Sequence, residues 1–385
     1  MFQLPFLDQF RNVVTYSHID DFVDTLSCFA TPSIYLFGAI LISARTYVGS
    51  PIQCWIHQSY SGAWEEYAET FCFLKNTYFV PNTESVANSA YTDKSSVRYY
   101  QWSSMYLAVC ALSFILPKLF WKYSQTSSDI PLTYFCETAN EIRKTTAGDR
   151  KGKIDEMTKY LTEKLEHKDL HGGSIFTMTK AYFATKFFYI VIAVFQFLLL
   201  AAFLGQSDDL FWGCTLLGNL LMNNNWEKTG LFPRVTYCSF PIRLSEGNIQ
   251  QHTTQCVLGV NEFNEKIFMF IFFWLVFLII FTTAATLRAV IKMRKNSIVE
   301  KLMIKERANK SASTTIKQFS EKYLKTDGKM ILSYVKMESD IVAQELAETL
   351  FENYKKKAPL DVPQHKQVPL LGSNEKEKLD EQNIV

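Results

Sequence analysis

Four stretches of this 385-residue sequence contain no Asp, Glu, Lys or Arg. They cover residues 25–44, 99–117, 187–207 and 267–287, with 20, 19, 21 and 21 residues respectively. A hydrocarbon core of about 30 Å takes about 20 helical residues at about 1.5 Å each, so every stretch is long enough to cross a bilayer. Buried helices of a soluble domain usually keep a polar outer face. The run 267–280, IFMFIFFWLVFLII, is apolar on every side. The four stretches also lack His. Pumps, coupled transporters and intramembrane hydrolases carry ionisable groups inside the membrane, so none of these is expected. A wide, water-filled pore has no such need, because ions pass through it with their hydration intact.

Other absences narrow the chemistry. There is no GxSxG or HExxH string. The string GDRKGK (148–153) is one residue short of a phosphate-binding loop, lacks its Ser or Thr, and sits between expected helices. His167 and His171 have i, i+4 spacing, but no acidic or Cys ligand completes a metal site. The cysteines of the expected outer loops have neither a CxxC spacing nor a paired His, which disfavours zinc. No enzyme activity, cofactor, metal or nucleic-acid partner is therefore expected. The 24-residue leader has Asp8, Asp20, Asp21 and Asp24 against a single Arg11. It lacks the basic start and small-residue cleavage site of a signal peptide, so the first stretch is expected to be retained. The loops 46–98 and 208–266 lack an N-x-S/T sequon, which suits surfaces that meet another protein closely.

What remains is apolar and patterned: 48% of residues are hydrophobic and 15% aromatic. The loop 46–98 has three basic residues and the loop 208–266 has four, whereas 118–186 has twelve and 288–310 has eight. Basic residues stay on the cytoplasmic side. Both termini and the middle loop are therefore expected inside, and the other two loops outside. The expected order is a leader (1–24), spans at 25–45, 99–117, 187–207 and 267–287, outer loops at 46–98 and 208–266, a helical middle loop (118–186), a helical region (288–357) and a disordered tail (358–385). The fold class is an all-α membrane protein of four transmembrane helices, with some short strands in its outer loops and membrane lipid as its first partner.

The outer loops hold two cysteines each, Cys54 and Cys72, then Cys238 and Cys256, both as C-x17-C. An oxidising compartment turns such residues into disulfides, and four cysteines allow three pairings. Cys214, within LFWGCTLLGNLL (210–221), is expected to be a buried thiol. Cys28, Cys110 and Cys136 are expected to be reduced. Residues 131–148 and 153–168 show helical spacing, ended by Gly172-Gly173. Helical sequence after the fourth span is interrupted at Asp327-Gly328. Residues 329–354 then place Ile331, Val335, Ile341, Val342, Leu346 and Leu350 on one apolar face, which is expected to pack on the middle-loop helices. The first span is the most polar, with Thr25, Ser27, Thr31, Ser33, Tyr35 and Ser43, and Arg45 at its outer end. Hydroxyls in spans also simply bond to their own backbone.

Specific strings resemble a family. YYQWSSMYLAVCALSFILPKLFWK (99–122) is similar to the innexin signature: Tyr99, Tyr100, Gln101 and Trp102, then an apolar run with a late Pro117. TYVGSPIQCW (46–55), FPRVTYC (232–238), QCVLGVNEFNEKIF (255–268) and YLKTDG (323–328) also resemble innexin strings. Two cysteines per outer loop are similar to innexins and unlike the three of connexins. Tetraspanin and claudin patterns do not occur. The resemblance implies a ring of about eight subunits (six in the alternative) around a central pore. It implies head-to-head docking with a second ring on the apposed cell, passing ions and small solutes, at the plasma membrane. The competing reading is a ring that never docks and releases solutes from one cell. Hetero-oligomers with other innexins are compatible with either.

The resemblance further implies cytoplasmic helices forming a dome and disulfides Cys54–Cys256 and Cys72–Cys238. It places the amino-terminal segment at the pore mouth and the first span along the passage. Phe2, Asp8, Asp20, Asp21, Asp24, Thr31, Tyr35 and Arg45 are then the pore-lining candidates, with the leader's acids biasing passage toward cations. Pro117 removes an amide and is expected to kink the second span.

Overall fold

The computed structural model describes residues 21–58, 61–80, 96–126, 131–145, 147–170, 178–205, 209–222, 230–245, 247–294, 297–303 and 310–357. Four helices among them are long and apolar enough to cross a membrane: Phe22–Tyr47, Ser103–Thr126, Met178–Phe203 and Val260–Arg294. We label the first α1. The second is broken into α3 (Ser103–Ser113) and α4 (Leu116–Thr126), and the others are α7 and α9.

The helices do not coincide with the charge-free stretches, because a helix continues once it leaves hydrocarbon. The third begins at Met178, not 187, and so includes Lys180 and Lys186. It stops at Phe203 rather than 207, where Gly205 takes φ +70. The second begins at Ser103, preceded by a single 3-10 turn over Tyr99–Gln101. The fourth starts seven residues early, with Glu262, Glu265 and Lys266 in its first turns. Within α1 the turn Leu26–Ala30 widens to a π turn. Pro32 follows and offers no amide. The Thr31 hydroxyl donates to the Leu26 carbonyl at 3.0 Å. The break in the second span lies at Phe114 and Ile115, with Pro117 in the first turn of α4.

At one end sits a head made from the described residues of the two loops 48–102 and 204–259. Its five-stranded antiparallel sheet has the order β1 (Gln53–Cys54), β5 (Asn248–Val257), β4 (Val235–Ser245), β2 (Thr77–Tyr78), β3 (Ser96–Val97). β4 and β5 form a hairpin of 11- and 10-residue strands, longer than the short strands expected, with Gly247 in its turn at φ +85. Helix α2 (Gly62–Lys75) belongs to the head, and so does α8 (Trp212–Leu221).

At the other end is a helical base: α5 (Leu132–Lys144), α6 (Ala147–Leu170), α10 (Ser297–Leu302), α11 (Lys310–Gln318), α12 (Lys325–Glu338) and α13 (Asp340–Lys357). Leu132, Phe135, Met157, Leu161, Phe319 and Leu346 form part of its shared core. Residues 148–153 lie in the first turns of α6 rather than between helices. The segment 329–354 is two helices, not one, because Ser339 is extended (φ -159, ψ 119). Ile341 is consequently exposed, while Ile331, Val335, Val342, Leu346 and Leu350 are fully buried. The expected interruption at Asp327-Gly328 falls instead at Lys325, with φ 50. The leader before 21, the glycine pair at 172–173, and the tail after 357 lie outside the described residues.

Candidate functional site

Disulfides join Cys54 to Cys256 and Cys72 to Cys238, tying the first head loop to the second twice. Cys54 and Cys256 face each other in the β1–β5 register. Cys72 comes from α2 and Cys238 from β4. The Cys54 amide donates to Glu69 Oε1 at 3.2 Å, which fixes β1 to α2 as well. Among the free thiols, Cys28, Cys110 and Cys136 are buried. Cys214 is exposed, contrary to expectation, because Trp212, Gly213 and Leu216 take the inward face of α8. Burial, reinforced by Glu338 and Glu137, pushes the Cys136 thiol up to about 12, so it stays protonated.

The family-like strings meet at the joints between head, spans and base. Gln101 donates through Nε2 to the Leu74 carbonyl at 3.0 Å, to Asn76 Oδ1 at 3.1 Å, and to the Phe73 carbonyl. The Tyr100 hydroxyl donates to the carbonyls of Phe73 and Cys72 at 3.2 and 3.4 Å. Together they satisfy carbonyls at the end of α2 that the helix leaves without partners. Burial pushes the Tyr100 phenol up to about 12, so it remains a donor. The Tyr99 hydroxyl reaches the Leu231 carbonyl of the second loop at 3.1 Å. Trp102 is exposed beside them, where an aromatic ring suits a membrane interface. Asn261 donates to the Pro233 carbonyl at 2.8 Å, and Arg234 pairs with the buried Glu265 at 3.3 Å.

Arg45 lies within this joint. Its guanidinium stands 6.0 Å over the Phe263 ring. Added methyl groups at Gly259 and Gly49 would lie 2.7 and 2.9 Å from its terminal nitrogens. Two glycines from two different strings therefore make the space it occupies.

At the base, Asp327 is buried and accepts from the Thr179 amide at 3.1 Å and the Thr179 hydroxyl at 2.5 Å. A carboxylate from one helix thus caps the N-terminus of another, α7, where it also meets the positive end of the helix dipole. Gly328 is needed alongside, since a methyl there would lie 2.9 Å from Leu324.

A second charged cluster lies where α1 begins. Lys186 of α7, with a side chain only 5% exposed, donates to Asp21 Oδ2 and Asp24 Oδ2, each at 2.7 Å. The Tyr182 hydroxyl donates to Asp21 at 2.8 Å. The Tyr182 ring in turn contacts Trp121 of α4 (5.9 Å) and Tyr334 of α12 (6.4 Å). Burial raises the Asp21 carboxyl, but Lys186 and the Tyr182 bond outweigh it, and the net shift is downward.

Two of the pore-lining candidates pack against other helices of the same chain. Thr31 and Tyr35 are fully buried within the subunit. The Thr31 hydroxyl accepts from Trp274 Nε1 of α9 at 3.1 Å, and Tyr35 packs on Phe114 of the second span at 5.6 Å. The side of α1 that faces away from the chain carries Phe29, Ser33, Phe37, Ile40 and Tyr47. Asp21 and Asp24 share the single positive charge of Lys186, which each meets at 2.7 Å. Phe2, Asp8 and Asp20 lie outside the described residues. In the sequence Lys186 falls among the twelve basic residues of 118–186, one position before the charge-free stretch 187–207, although its burial among acids is what ties two spans together.

A family model described as Innexin matches residues 20–354. The chain is 44% identical to Innexin-8 of Caenorhabditis elegans over 361 residues, covering 92% of this chain and 94% of that protein. It is 32% identical to Innexin unc-9 of the same organism over 358 residues, covering 87% and 92%. It is 31% identical to Innexin-3, again of Caenorhabditis elegans, over 375 residues, covering 92% and 88%.

Proposed function

Because the chain belongs to the innexin family, and is a gap-junction channel subunit of the plasma membrane and not an enzyme, we propose that it forms a ring of about eight copies whose heads dock onto those of a ring on the apposed cell. Six copies, and mixed rings with other innexins, are the alternatives for assembly. The observation that supports docking is the head itself. Two disulfides and a continuous sheet bind both loops into one body, and the β4–β5 hairpin carries exposed side chains at residues 248–251. A preformed surface loses little conformational entropy on meeting its partner. Neither loop has a sequon whose glycan would stand in the way.

The orientation follows from charge. With twelve basic residues in 118–186 against three in 46–98, the base faces the cytoplasm with both termini, and the head faces outward. The outward side of α1, with Ser33, Phe37 and Ile40, is the part of the first span that fronts the passage.

Imaging of the particle purified in mild detergent tests assembly, since it counts the subunits in a ring. Current between paired cells expressing only this chain tests docking. Rings with single-cell leak but no junctional current would favour the non-docking channel instead.

A further inference from the structure

The second head loop does not simply leave the membrane. The third helix ends at Phe203, and Gly205 turns the chain at φ +70. The chain then descends again. The Trp212 ring lies 5.0 Å from that of Phe272, and the Phe272 ring lies 5.3 Å from that of Phe197. Phe197 is six residues before the end of the third helix, and Phe272 is five residues inside the charge-free stretch 267–287. Trp212 therefore packs on the first turns of the charge-free part of the fourth span, with its ring also 6.2 Å from that of Phe232. Gly213 of α8 lies directly against the Phe272 side chain of the fourth span. A methyl group at Gly213 would lie 2.4 Å from the Phe272 ring.

Residues 210–226 contain no Asp, Glu, Lys or Arg. The ten residues of α8 rise about 15 Å, half of what a crossing needs. Its inward face is taken by Trp212, Gly213 and Leu216. Its outward side bears Phe211, Cys214, Thr215, Leu220, Leu221 and Met222, the last two 76% and 77% exposed. The outward residues Phe195 and Phe270 of the neighbouring spans are apolar and exposed too.

We propose that residues 210–222 form a re-entrant helix whose outward side is covered by lipid acyl chains of the leaflet nearest the head. Water at this face would leave a contiguous apolar patch exposed. A helix is also the one short segment whose backbone groups are satisfied at such depth. The helix anchors the second loop just before the β4–β5 hairpin, and so sets the height of the head above the membrane.

The native Cys214 is the probe, because the other three free thiols are buried. The full chain is placed in phosphatidylcholine nanodiscs and treated with a charged methanethiosulfonate or a lipid-soluble maleimide. A Cys214→Ser/Ile249→Cys variant reports an exposed position in the hairpin. Cys214 is expected to lose reaction with the charged reagent and keep reaction with the lipid-soluble one. A bimane attached there is expected to be quenched by phospholipids carrying a nitroxide high on the acyl chain. Reaction of Cys214 with the charged reagent at the rate of Cys at 249 would overturn the proposal. So would failure to react with either reagent, since a neighbouring subunit would then cover the face.

Discussion

The ammonium of Lys186 lies 2.7 Å from a carboxylate oxygen of Asp24, joining the third span to the start of the first across 162 residues of sequence. The Lys186 side chain is 5% exposed and that of Asp24 15%. Removing one partner of such a pair leaves the other charged and buried, at about 3–5 kcal/mol. Lys186→Met is therefore expected to lower the thermal stability of the purified channel by an amount in that range. Asp24→Asn is expected to cost more than Asp21→Asn, whose carboxylate has more water. The triple variant Lys186→Met/Asp21→Asn/Asp24→Asn is expected to recover much of the loss. Thermal unfolding of the wild type and the four variants in one detergent decides it, and no recovery in the triple variant would refute the charge-pair account.

The same cluster has a defined pH response. The Asp21 carboxyl is held below its ordinary value of 3.8. A depressed folded value means that its contribution is complete above the unfolded value and is lost as pH falls through the folded one. The stability difference between the wild type and Asp21→Asn is thus expected to stay constant from neutral pH down to mild acid, and to shrink only below 3.8. Melting curves across pH measure it. A difference that collapses in mild acid would show that another group controls the cluster.

The two disulfides close nested loops, with sequence separations of 202 and 166, and hold one head. Replacing Cys72 and Cys238 by Ser together is expected to cost about 2–5 kcal/mol of head stability and to abolish junctional current while the spans still insert. Proteolysis of unreduced protein followed by mass spectrometry identifies the pairs. A peptide linking Cys54 to Cys72 would contradict the cross-loop pattern.

Much of this architecture is legible in the sequence, for reasons that also explain what is not. Four helices announce themselves because lipid tolerates no charge in their middles, and the base helices because their apolar residues recur at helical spacing. The strings at 99–102, 232–238 and 255–268 can be recognised but not interpreted from the sequence. Their work is done between segments, as when Gln101 caps the helix carrying Cys72. Counting charges places Lys186 in a loop, since its partners at 21 and 24 lie far away in sequence. Thr31 and Tyr35 look suited to water because they are polar. Which side of a helix meets its neighbours depends on those neighbours, and here Trp274 and Phe114 claim both residues.

The contact of Gly213 with Phe272 admits no side chain. Gly213→Ala is expected to destabilise the protein by about 1–3 kcal/mol through overpacking, because the ring at 2.4 Å must move. Adding Phe272→Leu is expected to return part of that loss by opening space where the methyl intrudes. Unfolding of the single and double variants tests the pair. Equal loss in both would mean that glycine serves the backbone at 213 and not the ring.

The orientation of the first span can be tested with two nearly isosteric substitutions two residues apart. Thr31 is fully buried against α9, whereas Ser33 lies on the outward side, its hydroxyl bonded only to the Phe29 carbonyl of its own helix at 2.8 Å. Successive helical residues are turned by about 100°, so positions two apart cannot both face one passage. Ser33→Cys is expected to fold normally. A charged thiol reagent applied to open, undocked channels is expected to reduce its current. Thr31→Cys is expected to lose the Trp274 bond, at about 0.5–1.5 kcal/mol, and to stay inert to the reagent. Single-cell recordings before and after reagent compare the two. Modification of Thr31→Cys with Ser33→Cys untouched would turn the helix around and restore the polar residues to the pore.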